Sequence, residues 1–283
     1  MRILSIQSSV AYGHVGNSAA TFPLQRLGHE VWPVHTVVFS NHTGYGAWGG
    51  PLLSPDDVRQ VIAGIADRGV LPTCDAVLSG YLGGPGICDV VVDAVALVKS
   101  ANPHATYTCD PVMGNATSGC FVDPAIPPIL REQVVPVADV ITPNQFELGF
   151  LTDSSPDTLE STLDSADAAR ALGPATVLVT SMLRPDGPDD AIEMLAVTGA
   201  GAWTVRTPRL RMKVNGSGDL TAALFTAHLK QTGSAADALA ATASSVYGVL
   251  SATLESGEDE LRIVAAQESI AHPDCEFEVE QVR

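Results

Sequence analysis

Cations are scarce in this sequence: 15 Lys and Arg stand against 32 Asp and Glu, a formal net charge of −17. A surface of that sign repels phosphate backbones and anionic lipid headgroups at long range, which argues against a nucleic-acid or membrane-surface partner. Apolar runs approaching the ~20 residues needed to span a bilayer are missing too. The first residues, Met1-Arg2-Ile3-Leu4-Ser5-Ile6, pass straight into polar Gln7-Ser8-Ser9. With no long apolar core after a basic start, no secretory signal is predicted. Cysteine is sparse and unpaired: positions 74, 88, 109, 120 and 275 form no CxxC. That argues against a disulfide framework or a zinc site and points to a cytoplasmic protein. Internal repeats and low-complexity stretches are absent. If the substrate carries phosphate, backbone N–H groups, a helix N-terminus or a metal ion must hold it, because an Arg cluster is not on offer.

Hydrophobic residues make up 46% of the 283 positions and charged residues only 17%, enough apolar material for a large core. Short apolar, β-branched runs alternate with segments of helical period. The predicted strands are 2–7, 30–39, 76–80, 105–109, 137–142, 176–180, 193–198 and 203–207. The predicted helices are 17–27, 55–68, 87–101, 158–171, 218–230 and 235–254. Ser54-Pro55-Asp56-Asp57 reads as a helix start with a capping box, and Gly28, Gly69 and Gly233 read as left-handed helix stops. Such alternation predicts an α/β fold of three layers, a mostly parallel sheet covered by helices on both faces. No helix separates the runs near 193–207, so an antiparallel hairpin is expected there. No linker divides the chain, and residues 1–283 are read as one domain. The acidic end, Glu276 to Glu280, is taken as solvated.

In open α/β sheets ligands bind beyond the carboxyl ends of the strands. The sharpest signal at such a place is Asn215-Gly216-Ser217-Gly218-Asp219. Leu220, Ala223, Leu224 and Ala227 follow at i, i+3, i+4 and i+7, so a buried helix starts directly after the glycines. Gly216 and Gly218 let the backbone approach a ligand, and the helix N-terminus adds partial positive charge. The segment lacks the Lys-Ser or Lys-Thr of a Walker A loop and the spacing of a dinucleotide fingerprint. Taken alone, Gly218-Asp219 could equally be a plain helix cap.

The Gly-Ser-Gly-Asp stretch resembles the anion-hole motif of ribokinase-like kinases, and further stretches resemble bacterial pyridoxal kinases of the PdxY type. These are Ser8, Tyr12-Gly13-His14-Val15-Gly16-Asn17-Ser18-Ala19, Phe39-Ser40-Asn41-His42-Thr43-Gly44-Tyr45 and Cys74-Asp75-Ala76-Val77-Leu78-Ser79-Gly80-Tyr81-Leu82-Gly83. Cys109-Asp110-Pro111-Val112-Met113-Gly114 and Pro143-Asn144-x-x-Glu147 complete the set, with a weaker tail at Val264-Ala265-Ala266-Gln267.

The resemblance implies a ribokinase-like fold and ATP-dependent phosphorylation of the 5′-hydroxymethyl group of pyridoxal. It assigns Asp219 as the base and Gly216, Ser217 and Gly218 as the anion hole. A carboxylate at a helix N-terminus is expected to be a weak base, its charged form being stabilised there. Asp110 and Glu147, with Thr142 nearby, are expected to help hold Mg²⁺ with ATP; K⁺ is a further cation that the family raises. An isolated Asp-Pro commonly serves only as a turn. Thr180 matches a nucleotide-contacting position where many relatives carry Lys, and Thr207, Pro208, Arg209 and Leu210 match the segment over the adenine. Ser8, Thr43, Gly44 and Tyr81 match the vitamin side. Cys120, in a Gly-flanked loop, could add reversibly to the substrate aldehyde or could simply be a small hydrophobe in a flap. A homodimer is implied by the family alone. Two alternatives stay open: a hydroxymethylpyrimidine kinase of the same fold, and a non-catalytic protein that binds or delivers B6 vitamers.

Overall fold

A computed structural model describes all residues from Met1 to Arg283. The chain begins β1 (Arg2–Val10), α1 (Asn17–Arg26), β2 (Glu30–Phe39), α2 (Pro55–Ala66), β3 (Ala76–Ser79), α3 (Gly86–Ala101) and β4 (Thr106–Cys109). A small hairpin follows, β5 (Gly114–Asn115) and β6 (Gly119–Cys120), then α4 (Ile126–Ile129), β7 (Val140–Ile141), α5 (Gln145–Thr152) and α6 (Leu159–Arg170). The last part holds β8 (Thr176–Met182), β9 (Ala191–Thr198), β10 (Gly201–Pro208), α7 (Ser217–Thr232), α8 (Ala235–Ser256), α9 (Gln267–Ala271) and β11 (Val279–Gln281).

Nine strands form one sheet in the order β11-β10-β9-β8-β7-β4-β3-β1-β2. Pairings from β2 across to β8 are parallel, and β9, β10 and β11 join antiparallel, as the missing helix near 200 predicts. Side chains alternate across the sheet, and both faces are buried. Leu4, Ile6, Val77, Val177 and Val179 face α2, α3 and α6 in the largest core cluster. Ile3, Ala76 and Leu78 face α1 and the small residues Ala222, Ala223 and Ala227 of α7. Farther along that face, Leu178, Ala196 and Val205 meet Phe225, Leu239 and Ala243. Ser54 and Asp57 make the expected capping box on α2, and Gly28, Gly69 and Gly233 take positive φ at helix ends.

Three expectations change. The strand read at 137–142 shrinks to Val140–Ile141, because Val135-Pro136-Val137 coils into a 3-10 turn. The first strand runs on past Gln7 to Val10, with its register to β2 broken between Gln7 and Ser9. Such an irregularity re-aims the intervening side chain, here Ser8. The acidic tail is not merely solvated: Val279–Gln281 pairs with Trp203–Val205 and covers the edge of β10. An edge strand left bare would template unwanted pairing.

The chain leaves β1 for β2 on one side and returns to β3 on the other, so the strand order reverses at β1. Ligand crevices form at such switch points. The loops after β1, β2 and β3 therefore converge with the glycine loop before α7.

Candidate active site

Gly216 is the N-cap of α7 and holds φ at +87°. A Cβ there would lie 1.8 Å from the carbonyl oxygen of His14, so the loop after β1 and the glycine loop are in direct backbone contact. Only glycine fits both constraints. Ser217, Gly218 and Asp219 form the first turn of α7, whose free N–H groups and dipole favour an anion.

Asp219 is partly buried and accepts the N–H of Gly16 as well as its own. Here the structure corrects the sequence reading. Burial pushes the carboxyl up to about 6, against the lowering by those two N–H groups. Desolvation outweighs the helix terminus, and Asp219 is a better base than its position in the sequence suggests.

Asp110 leaves the end of β4, buried, with its Oδ1 accepting the Thr142 hydroxyl at 3.1 Å. Glu147, also buried, closes a reciprocal capping box on α5: Asn144 N–H donates to Oε2 at 3.0 Å, and Glu147 N–H donates to the Asn144 side chain. Its Oε1 accepts the N–H groups of Met113 at 2.9 Å and Gly114 at 3.4 Å. Asn144 Nδ2 donates to Gly114 O at 2.9 Å, so the root of the β5–β6 flap is fastened to α5. Burial first, then the charges of Glu147 and Asp219, push the Asp110 carboxyl well up. Burial likewise lifts Glu147 to about 7.

None of these three carboxylates has a Lys or Arg partner. Crowded acids without a counter-charge fit a divalent cation. No three His, Cys, Asp or Glu side chains form a metal cluster.

Beside the glycine loop lies a cavity of about 290 Å³ between β8–β10 and α7–α8. It gathers all four residues of the 207–210 segment with Thr180, Ser217 and Gly218, and its walls include Ile192, Met194 and Val246. Asp110, Thr142 and Glu147 stand outside this cavity, and the charge of Asp219 acts on Asp110 and Glu147. Lys213 also lines the cavity and makes no ion pair, a cation that sequence reasoning passed over. Its alternation with Leu210, Met212 and Val214 was the available clue.

On the other side, Ser8 is buried at the irregularity in β1 and Tyr81 is half-buried after β3. Thr43 and Gly44 lie in an exposed 3-10 turn, Thr43–Tyr45. A Cβ on Gly44 would come within 3.6 Å of the Asn215 amide, which places this turn against the glycine loop. Cys120 is exposed on β6 and connects to the cluster only through its pairing with Gly114. Glu260, which sequence reasoning did not single out, reaches both His42 and Tyr45.

A carboxylate at a helix N-terminus, two further buried acids and an apolar cavity lie along one sheet edge, an arrangement suited to phosphoryl transfer. The family described as phosphomethylpyrimidine kinase matches residues 52–263. The chain is 70% identical to pyridoxal kinase PdxY of Leifsonia xyli subsp. xyli, with 100% of both chains covered. It is 62% identical to the protein of that name from Corynebacterium diphtheriae, again with 100% of both covered. Among solved structures, pyridoxal kinase from Leishmania donovani in complex with ADP and pyridoxine superposes with a TM-score of 0.93. That pair is 29% identical, covering 100% of this chain and 99% of the other. The chain belongs to the phosphomethylpyrimidine kinase family and, within it, to the pyridoxal kinases of the PdxY type.

Proposed function

We propose that this chain transfers the γ-phosphoryl group of ATP to the 5′-hydroxyl of pyridoxal, giving pyridoxal 5′-phosphate in vitamin B6 salvage. The observation that carries the reading is Asp219, a partly buried carboxylate held up at about 6 on the first turn of α7. It is ionised at neutral pH, yet basic enough to take the alcohol proton late in a loose transition state. The N–H groups of Gly216, Ser217 and Gly218 stabilise the charge that develops on the transferred group.

Thr180 and Thr207 to Leu210 hold the nucleotide, with the adenine against the apolar wall. Ser8, Thr43, Gly44, Tyr81 and Cys120 surround the vitamin. Asp110 and Glu147 would hold Mg²⁺, which would supply neutralising charge for the phosphates when bound. The Glu147 oxygens already accept backbone N–H groups, so a cation held there would share that residue with the flap root. The reading extends to one catalytic domain acting as a cytoplasmic homodimer, whose stoichiometry sedimentation would test.

ADP release with Mg·ATP, measured against pyridoxal, pyridoxine and hydroxymethylpyrimidine, tests the assignment. Pyridoxal should turn over, and Asp219→Asn should lower kcat by about 10²–10⁴ while vitamin binding persists. Turnover of the pyrimidine alone would replace the substrate. Tight pyridoxal binding with no turnover would make the chain a carrier.

A further inference from the structure

Glu260 lies between α8 and α9 in the acidic stretch Glu255-Ser256-Gly257-Glu258-Asp259-Glu260. By composition it belongs in solvent. Instead its side chain is only 11% exposed, because Leu261 and Ile263 after it are buried in the core beside α7 and α8. Each carboxylate oxygen is used. Oε1 accepts Tyr45 Oη–H at 2.8 Å and His42 Nε2–H at 3.2 Å, and Oε2 accepts the His14 N–H at 3.1 Å. No Lys or Arg pairs with it. The approach is close: a Cβ at Gly13, where φ is +89°, would lie 2.3 Å from Oε2. The same His42 Nε2 lies 3.3 Å from Asn215 Nδ2, a packing contact and not a second hydrogen bond, since Nε2 gives its one proton to Glu260.

These contacts tie together three loops that are far apart in sequence, and each loop leads to a working part of the site. The loop at 12–16 supplies the Gly16 N–H that Asp219 accepts. The turn at 43–45 carries Thr43 and Gly44. Asn215 opens the glycine loop. The turn at 43–45 buries no residue of its own, so packing does not fix it. The Asn41 amide spans its base to His42 O at 3.1 Å and Ala47 O at 2.9 Å, and Glu260 anchors it to the rest of the site, helped by ring contacts of Tyr45 with His42 at 4.5 Å and with Tyr12 at 6.2 Å. Leaving such a carboxylate without its donors, or the donors without it, costs more than an exposed pair would.

We propose that Glu260 is a positioning residue for pyridoxal: it holds the vitamin-binding turn in register with the base and the anion hole without touching either substrate. The inference rests on the pyridoxal kinase reading. It deepens that reading by separating a residue that sets vitamin affinity from those that set ATP affinity. No Glu260 contact reaches the nucleotide cavity, so its loss should be felt on one substrate only.

The test is steady-state kinetics of the full chain with pyridoxal and Mg·ATP varied separately, for Glu260→Ala, Glu260→Gln and Tyr45→Phe. Glu260→Ala should raise KM for pyridoxal about tenfold or more, with KM for ATP within about twofold; tenfold corresponds to about 1.4 kcal/mol. Glu260→Gln, which keeps the shape but turns one acceptor into a donor, should fall between it and the parent. Tyr45→Phe removes one exposed O–H donor and should raise the same KM severalfold, keeping the test alive if the Glu260 variants fold poorly. Combined with Glu260→Ala, Tyr45→Phe should add little, since both delete one contact. Equal changes in both KM values, or lowered thermal stability with an unchanged KM ratio, would overturn the proposal. Absence of pyridoxal turnover by the parent chain would instead overturn the reading on which it rests.

Discussion

The nucleotide side and the vitamin side share one crevice but are held by different means. The cavity assigned to the nucleotide is walled by β8–β10, α7 and α8, with Met194, Val205, Ala243 and Val246 drawn from core clusters, and only the strap at 209–214 is irregular. The vitamin side is a set of polar loops, joined by side-chain hydrogen bonds to Glu260 and by the backbone contact of His14 with Gly216. A wall made of regular elements keeps its shape because the whole core would have to move with it. Loops fixed by a few polar contacts shift when one contact is lost, and these should open at lower free energy than the core.

The largest expected effect breaks both sides at once. Gly216→Ala puts a Cβ into the His14 carbonyl and forces a left-handed φ on a residue with a side chain. The anion hole and the loop after β1 must then separate. kcat should fall by about 10²–10³, the range for losing one preorganised donor. Stability should drop by about 1–3 kcal/mol, the cost of such backbone strain. Kinetics and thermal unfolding on one preparation would show both. An unchanged kcat would mean that the two sides are not joined at Gly216.

Next in size is the pH response, which belongs to the shared base. With the Asp219 carboxyl at about 6, the ionised fraction and kcat/KM should be nearly flat above neutrality. They should fall about tenfold per pH unit below that midpoint, because a protonated Asp219 cannot accept the alcohol proton. Had the helix terminus prevailed, as the sequence suggested, activity would hold down to roughly pH 4. Asp110 and Glu147, the acidic neighbours of the site, are both raised as well. Saturating Mg·ATP should hold their charge steady and leave Asp219 to shape the kcat profile. The stability sign runs the same way as the cause. A carboxyl raised above its unfolded value destabilises the fold at neutral pH. That cost fades as pH falls through about 6, so acid should not unfold this site before it silences it.

How much of this could be read in the sequence follows the same division. The glycine loop and the start of α7 at Asp219 are legible because local pattern decides them: an apolar stripe fixes α7, and strand–helix alternation fixes the sheet; the segment at 207–210 is marked by the resemblance alone. Asn144 and Glu147 stand out in the sequence only through the resemblance, and neither the helix cap nor the flap root they form is read there. Glu260 was not legible. Its role depends on contacts across 246 residues to His14 and 218 to His42, and its own neighbourhood reads as solvent-facing acid. The raised Asp219 was missed for a related reason: a helix terminus is visible in sequence, and desolvation by distant loops is not. The β11 strand went unread because three residues in an acidic tail carry too little alternation to announce an edge.

The smallest effect would sharpen the comparison from the nucleotide side. Lys213 is exposed on the strap over the cavity, lines it together with Ser217 and Gly218, and has no ion-pair partner. In a chain of net charge −17, a free cation at that place should find the phosphates of ATP. Thr180 lines the same cavity. Lys213→Ala should raise KM for ATP about three- to fivefold, the equivalent of about 1 kcal/mol for a solvent-screened pair. KM for pyridoxal should stay within about twofold, the mirror image of Glu260→Ala. The effect should shrink as salt is added, since an exposed charge acts through a screened field. Thr180→Lys in the Lys213→Ala background should restore the ATP affinity if the two positions serve one phosphate group. If it does not, the strap cation and the strand-end hydroxyl touch different parts of the nucleotide, and the cavity is longer than the triphosphate.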